Sequence, residues 1–157
     1  VMHTIEAEFD ASGARFAVVA TRWNDAIVDL LVDGALEVLR DAGVDDADIT
    51  LIRVPGAFEL PLVCDRLADS GDYDAVIALG AVIRGETPHF DFVAGECARG
   101  LAAVAVENSI PVTFGVITAD TIEQAEDRSR PGEDNNKGIE AASAAVEMVG
   151  ILRQIDE

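Results

Sequence analysis

One stretch of the chain, residues 78–93, combines the residue types that phosphate binding and proton transfer require. It begins as the end of an apolar run, 75–79, of the kind that forms a parallel strand buried on both faces. The run stops at Gly80, a short polar loop follows, and the helical spacing of apolar residues resumes at Phe90. The pattern predicts a strand, then a loop at its carboxyl end, then a helix.

The predicted helix offers an anion site at its first turn. Thr87 is expected to cap the helix, and Pro88 suits its first position because it lacks only an N–H that would be unpaired there. Free N–H groups and the positive end of the helix dipole favour an anion at such a place. We therefore expect backbone groups of Gly85, Glu86 and Thr87 to bind a phosphate.

His89 lies in the same first turn and is the candidate for proton transfer. The helix dipole disfavours the imidazolium, so the ring is expected to stay neutral near pH 7 and to accept a proton. A single His at a helix start is more often a surface or capping residue than a catalyst. The pattern by itself therefore leaves both interpretations of His89 open.

The rest of the chain supplies the elements that must position this loop. Strands alternate with amphipathic helices, which favours one α/β domain, residues 1–157, with a four-stranded parallel sheet in a three-layer α/β/α sandwich. Residues 1–13 are expected to form an arm or an edge strand. Ligands of such sheets bind at the carboxyl ends of the strands. Strands are predicted at 15–21, 49–54, 75–79 and 111–118, and helices at 27–43, 62–71, 89–108, 122–128 and 137–155.

The composition excludes several classes of partner. Thirty acidic residues against eleven basic ones give the 157-residue chain a net charge of −19, yet half of its residues are hydrophobic. The chain is therefore folded and acidic on its surface, and it repels nucleic acid and anionic membranes. Ten of the eleven basic residues are Arg, and Lys137 is the only lysine. This composition favours a halophilic protein, and we expect an archaeal source; an acidic surface without salt adaptation is the alternative.

Cysteine usage and the N-terminus favour a cytoplasmic protein. Cys64 and Cys97 stand singly without the spacing of a metal site, which fits reduced, buried thiols. The N-terminal residues are acidic rather than basic, so no secretory signal is recognised, and the longest apolar run is too short to span a membrane.

Three segments in register resemble the lumazine synthase family, which acts in riboflavin biosynthesis. They are Val54-Pro-Gly-Ala-Phe-Glu-Leu-Pro61, the stretch from Gly80 to Val93, and Asn136-Lys-Gly138, and the similarity extends from Arg15 to Leu152. The resemblance implies a flavodoxin-like fold and a transferase that uses no metal or redox cofactor. Its reaction would condense 5-amino-6-(D-ribitylamino)uracil with 3,4-dihydroxy-2-butanone 4-phosphate to 6,7-dimethyl-8-ribityllumazine, phosphate and water.

The resemblance also implies roles in binding the aminouracil. Trp23 would cover the pyrimidine ring, where family members usually carry an aromatic residue, and Asn24 would bind the uracil edge. Glu59 would hold the ribityl hydroxyls. From pattern alone, the single Trp could equally fill the core and Glu59 could be a solvated residue at a helix start. The implied binding residues are Trp23, Asn24, Ala57, Phe58, Glu59, Ala81, Val82, Ile83, Phe114 and Lys137.

The second substrate and the assembly follow from the same resemblance. Residues 85–87 and Arg128 would bind the phosphate, and His89 would remove the proton that triggers its loss. Phe114, Arg128 and Lys137 would reach into the pocket of an adjacent subunit, and the resemblance implies assembly as a homopentamer or a multiple of one. Arg128 and Lys137 could instead be plain surface charges.

Two other functions remain compatible with the sequence. An archaeal-type riboflavin synthase resembles the same fold, although residues 57–59 and 87–89 favour the lumazine enzyme. A non-catalytic flavin-binding or shell-forming protein would also fit a flavodoxin-like sheet, because a fold does not define an activity.

Overall fold

The computed structural model describes residues 1–132 and 135–157. Its centre is a parallel sheet in the order β2-β1-β3-β4, which confirms the predicted class. The predicted polar loop 129–136 includes residues 133 and 134, which lie outside the described residues. The strands are β1 (Phe16–Thr21), β2 (Ile49–Val54), β3 (Ala75–Ile83) and β4 (Val112–Ala119).

Helices cover both faces of this sheet. The first and last long helices pack together on one face, and the second and third long helices pack on the other. Strand β1 serves both layers, because Phe16 and Val18 join one apolar cluster while Ala17 and Val19 join the other. Burial on both faces explains why its sequence is continuously apolar. The helices are α1 (Asp25–Asp41), α2 (Leu60–Asp69), α3 (His89–Asn108), α4 (Ile122–Asp127) and α5 (Lys137–Asp156), with 3-10 turns at Asp46–Asp48 and Ala57–Glu59.

Strand β3 is longer than its apolar run suggests, and the prediction that it stops at Gly80 is wrong. Pairing with β4 continues from Gly80 opposite Val116 to Ile83 opposite Ala119. Gly80 serves close packing instead of a turn, because a Cβ there would lie 3.0 Å from Cγ2 of Thr21. Residues 81–83 therefore belong to a strand and not to the loop.

Helix α3 begins at His89 and ends at Asn108, as predicted, but its cap differs. Pro88 occupies the capping position, because its carbonyl accepts the first helical hydrogen bond, from Asp91 N at 3.0 Å. The hydroxyl of Thr87 accepts only a long bond of 3.4 Å from His89 N. The prediction of a Thr87 cap is therefore wrong by one residue.

The N-terminal residues 1–15 lie outside the sheet and run beside the helices of one layer. Ala11 is buried, and its N–H donates to the carbonyl of Ala42 at 2.8 Å. Further out, Gln154 Nε2 on α5 donates to the carbonyl of Glu6 at 2.8 Å. These contacts attach the segment to the ends of α1 and α5.

Both cysteines are free thiols in the core between α2 and α3. Burial raises the pKa of Cys64 to about 12, with a further contribution from the nearby Cys97, and burial raises the pKa of Cys97 to about 11. In the described part of the chain, no helix combines the length and apolar character needed to cross a membrane. The same residues contain no group of three or more His, Cys, Asp or Glu suited to a metal ion.

Candidate active site

A pocket of about 460 Å³ opens at the carboxyl edge of the sheet. It lies where pairing between β1 and β3 ends, at Ala20 and Leu79, while β3 continues beside β4. Strand β1 is the point from which the chain order runs outward in both directions, and ligands of open α/β sheets bind at such a switch point. The predicted site residues that line this pocket are Trp23, Asn24, Ala57, Phe58, Glu59, Ala81, Val82, Ile83 and His89.

Trp23 forms an aromatic wall of the pocket and does not fill the core. Its side chain is 63% exposed, and its ring lies directly against the backbone of Gly56. A Cβ at position 56 would come within 2.4 Å of the ring atoms Cε3 and Cζ3. The ring is therefore packed against Gly56 on one side and largely exposed elsewhere, which suits stacking on a planar heterocycle.

Asn24 bridges the gap between β1 and β3. Its backbone is left-handed, with φ 61°, so that the chain turns sharply from β1 into α1. Asn tolerates this conformation better than most residues. Its Nδ2 donates to the carbonyl of Ala81 at 3.2 Å, which fixes the amide at the pocket wall.

Two buried polar atoms in the pocket wall have no hydrogen-bond partner among the described residues. They are Oε2 of Glu59 and Oγ1 of Thr21, and the Thr21 side chain belongs to a residue only 1% exposed. Buried polar atoms are almost always paired, so two unpaired oxygens in one wall indicate that ligand groups pair with them. The interpretation of Glu59 as a solvated helix-start residue is wrong, because its Oε2 is enclosed.

Helix α3 supplies the other wall. His89 is exposed at its first residue, and Phe92 and Val93 line the pocket beside it. Positions i, i+3 and i+4 share one face of a helix, so these three side chains face the pocket together. Sequence analysis missed Thr21, Gly56, Phe92 and Val93; for Phe92 and Val93, their spacing from His89 was a signal that could have found them.

The predicted phosphate loop, residues 85–87, borders the pocket without lining it. It connects Ile83 to His89, which both line the pocket, and all three of its residues are exposed. The preceding Arg84 is bonded to carboxylates, with Nε donating to Asp120 Oδ1 at 2.8 Å. The loop thus presents backbone groups and the Glu86 carboxylate rather than a free cation.

Phe114, Arg128 and Lys137 lie elsewhere, in a second cleft of about 310 Å³ between β4, α4 and α5. Strand β4 is the edge of the sheet, beyond β3. The guanidinium of Arg128 donates to the carbonyl of Gln124 at 3.0 Å, and Lys137 Nζ lies 3.1 Å from Glu140 Oε2. A single chain therefore does not bring these three residues together with Trp23 and His89.

The segment Asn136-Lys-Gly138 fixes Lys137 at that cleft. The buried Asn136 caps α5 by accepting from Gly138 N at 2.8 Å and Ile139 N at 3.0 Å. Gly138 lets α5 touch α1, because a Cβ there would lie 2.0 Å from the carbonyl oxygen of Leu31. Asn136 and Gly138, the two neighbours of Lys137, are therefore packed inside the protein, whereas the lysine side chain is directed outward.

Comparison with known proteins adds sequence relationships to this geometry. The family model described as 6,7-dimethyl-8-ribityllumazine synthase matches residues 13–153. Proteins named 6,7-dimethyl-8-ribityllumazine synthase from the Nitratidesulfovibrio vulgaris strains Miyazaki F, DP4 and Hildenborough are each 53% identical over 152 residues. The alignments cover 97% of this chain and 97% of each relative. These relatives are bacterial, so the expectation of an archaeal source finds no support in them.

Proposed function

The chain belongs to the 6,7-dimethyl-8-ribityllumazine synthase family, and we propose that the pocket between β1 and β3 is its active site. The enzyme is a transferase of riboflavin biosynthesis, which condenses 5-amino-6-(D-ribitylamino)uracil with 3,4-dihydroxy-2-butanone 4-phosphate to 6,7-dimethyl-8-ribityllumazine, phosphate and water. The observation that carries the location is the pocket wall, in which an open Trp23 ring and the unpaired Glu59 oxygen lie in one pocket with His89.

The aminouracil is proposed to bind between Trp23 and the end of β3. The open face of the indole stacks on the pyrimidine, and the Asn24 amide and backbone groups of residues 81–83 bind its polar edge. Backbone groups on this side of β3 are accessible because pairing with β1 has ended at Leu79. The Glu59 carboxylate accepts hydrogen bonds from the ribityl hydroxyls, which gives its buried oxygen Oε2 the partner that it lacks.

His89 is proposed as the base of the elimination step. The uracil's amine attacks the ketone carbonyl of the butanone, and loss of water gives an imine. Removal of the proton from the next carbon then expels phosphate from the carbon beyond it, leaving an enol that ketonises. The ribitylamino nitrogen attacks the new ketone, and loss of a second water closes the second ring. His89 lies at the start of α3 beside residues 85–87, where the phosphate would bind the free N–H groups. Positioning and acid–base help suffice for this chemistry.

The phosphate subsite is proposed to be completed by a neighbouring subunit in a homopentamer or a multiple of one. The loop next to the pocket carries Glu86 and an Arg84 already paired with Asp120, so a dianion there needs further cations. The cations Arg128 and Lys137 lie at the β4 edge of the sheet and do not line the pocket of their own chain. A neighbour that docks its β4 edge beside the pocket would supply them together with Phe114.

Exposed apolar side chains support this assembly. Phe92 is 69% exposed, Val106 81% and Phe114 43%. Large apolar residues exposed along a helix and an edge strand are typical of a subunit interface. We further propose a cytoplasmic enzyme, because Cys64 and Cys97 are both free thiols. We also propose salt adaptation, because the net charge of −19 makes association of identical subunits depend on screening.

Turnover in high-salt buffer tests the activity. The protein is mixed with the ribitylamino-aminouracil and the butanone phosphate, and lumazine is followed by absorbance and fluorescence. Light scattering in the same buffer is expected to give the mass of a pentamer or a multiple of one. The proposal fails if no lumazine forms; conversion of added lumazine to riboflavin would then identify a riboflavin synthase, and tightly retained flavin without turnover would identify a binding protein.

A further inference from the structure

Arg84 joins the three structural elements that surround the phosphate loop. Its Nε donates to Asp120 Oδ1 at 2.8 Å just beyond β4, and its Nη1 lies 3.4 Å from Asp91 Oδ1 in the first turn of α3. The guanidinium carbon lies 4.4 Å from the ring centroid of Phe90. The backbone N–H of the same residue donates to the carbonyl of Ala119 at 2.8 Å. One residue thus links the ends of β3 and β4 to the start of α3.

We propose that Arg84 is a positioning residue, which holds the loop 85–88 and the first turn of α3 in the geometry that phosphate binding and His89 require. The loop begins directly after Arg84, and His89 lies two residues before Asp91. Both ends of the loop are therefore tied to one guanidinium. This inference rests on the function proposed for the loop and for His89.

The contacts distinguish this role from direct binding of the phosphate. Two carboxylates engage the guanidinium, and the Phe90 ring contacts its face. The hydrogen bond that Arg84 donates to Asp120, helped by the charge of Asp91, raises the pKa of Arg84 above its already high value, so the cation persists. The positive charge of Arg84 is therefore balanced by carboxylates of the same chain. A lysine would replace it only in part, because an ammonium group lacks the planar fork that bonds two carboxylates while its face lies on a ring.

The effect of Arg84 is expected to be local. Exposed ion pairs contribute little to global stability. The pair of Arg40 with Asp46 offers a matched control, because its Nε to Oδ1 distance is 2.9 Å and its side chains are 54% and 70% exposed, against 44% and 65% for Arg84 and Asp120. Arg40 lies near the end of α1 and lines no part of the pocket.

The test compares Arg84→Ala, Arg84→Lys and Asp120→Asn with Arg40→Ala in the full-length oligomer. Small displacements of reacting groups lower rates strongly, so Arg84→Ala and Asp120→Asn are both expected to lower kcat/KM for the butanone phosphate by about tenfold or more. The KM for the aminouracil and the Tm should stay close to those of Arg40→Ala. Arg84→Lys should recover only part of the loss. Amide hydrogen exchange should become faster in residues 85–92 of Arg84→Ala and Asp120→Asn, and it should stay unchanged there in Arg40→Ala.

Two results would overturn the inference. If Asp120→Asn kept or improved affinity for the butanone phosphate while Arg84→Ala lost it, Arg84 would bind the phosphate itself. If amide hydrogen exchange in residues 85–92 of Arg84→Ala were unchanged, the contacts of Arg84 would not be needed to hold the loop. The exchange measurement does not depend on turnover, so an inactive wild type would reject the proposed function while this inference was still tested.

Discussion

The pocket between β1 and β3 and the cleft at the edge of β4 are held in different ways. In the pocket, Trp23 rests on Gly56, and Asn24 bonds to the carbonyl of Ala81 on another strand. In the cleft, among the residues that the structure describes, the cationic groups of Arg128 and Lys137 bond to Gln124 and Glu140, each about one helical turn away. The pocket is therefore shaped by the tertiary structure of one chain, whereas the cleft presents cations outward. The proposed function accordingly assigns ring recognition to one subunit and charge recognition to the contact with its neighbour.

The largest effects are expected from substitutions that disable the pocket and the cleft separately. His89→Ala should lower kcat by about 10²- to 10⁴-fold with little change in affinity for the phosphate substrate, because it removes the base and leaves the loop. Arg128→Ala should instead raise the KM for the butanone phosphate. Kinetics with each substrate varied in turn would separate the two outcomes.

Mixing these two variants tests whether the regions meet between subunits. After dissociation and reassembly at equal amounts, half of the subunits retain His89 and half of their neighbours retain Arg128, so about one quarter of the sites should recover in a random ring. The control is each variant reassembled alone, which should keep its own defect, so all samples are assayed at a butanone phosphate concentration well below the KM of Arg128→Ala. If the mixture gained nothing although mixed oligomers formed, each site would belong to one chain and the comparison would fail.

A smaller effect is expected from Gly56→Ala, which sharpens the description of the pocket wall. The new methyl group would overlap the Trp23 ring. The backbone at position 56 is extended, a conformation that alanine adopts without strain, so the overlap is relieved by movement of the ring. We expect the KM for the aminouracil to rise about tenfold, with a stability loss of about 1 kcal/mol. Steady-state kinetics and thermal unfolding measure both quantities.

The matched control for Gly56→Ala is the same substitution in a Trp23→Ala background. If the methyl group acts only through the indole, it should change the KM little there, since the two positions are in contact and their effects should not add. Additive effects would show that Gly56 serves the pocket independently of Trp23.

The smallest expected effect is that of salt on the two regions. Raising NaCl from about 0.1 M to about 1 M shortens the screening length from about 10 Å to about 3 Å, which should raise the Tm and strengthen association of the acidic subunits. Aminouracil binding, followed by the fluorescence of Trp23, the single tryptophan, should persist in dilute salt while turnover falls. A Tm that does not respond to salt would contradict the proposed salt adaptation.

The sequence predicted those features that local patterns encode. The limits of α3 and the parallel α/β sheet follow from periodicity and from the alternation of strands and helices. The end of β3 was predicted wrongly because Gly80 looks like a turn, whereas it packs closely against the Thr21 side chain on the neighbouring strand. That contact depends on strand order, which no local pattern contains.

The same reason explains which site residues were missed or misread. The burial of the Glu59 oxygen and of the Thr21 hydroxyl arises only when the ends of β1, β2 and β3 meet around the pocket. The hydrogen bond of Arg84 to Asp120 joins residues separated by the whole of α3 and β4, whereas the contact of Arg84 with Asp91 spans seven residues. The resemblance supplied the rest of the pocket residues, because identical motifs carry tertiary information that periodicity lacks.

The two buried cysteines have a practical consequence for studying subunit exchange. At pH 8, a thiol with a pKa of about 11 is thiolate in only about one molecule in a thousand, and the Cys64 thiol still less. A cysteine introduced on the surface would then react with a maleimide dye almost alone. The two native thiols should therefore take up little dye. The mixing of labelled subunits could be followed by fluorescence energy transfer without removing either native cysteine.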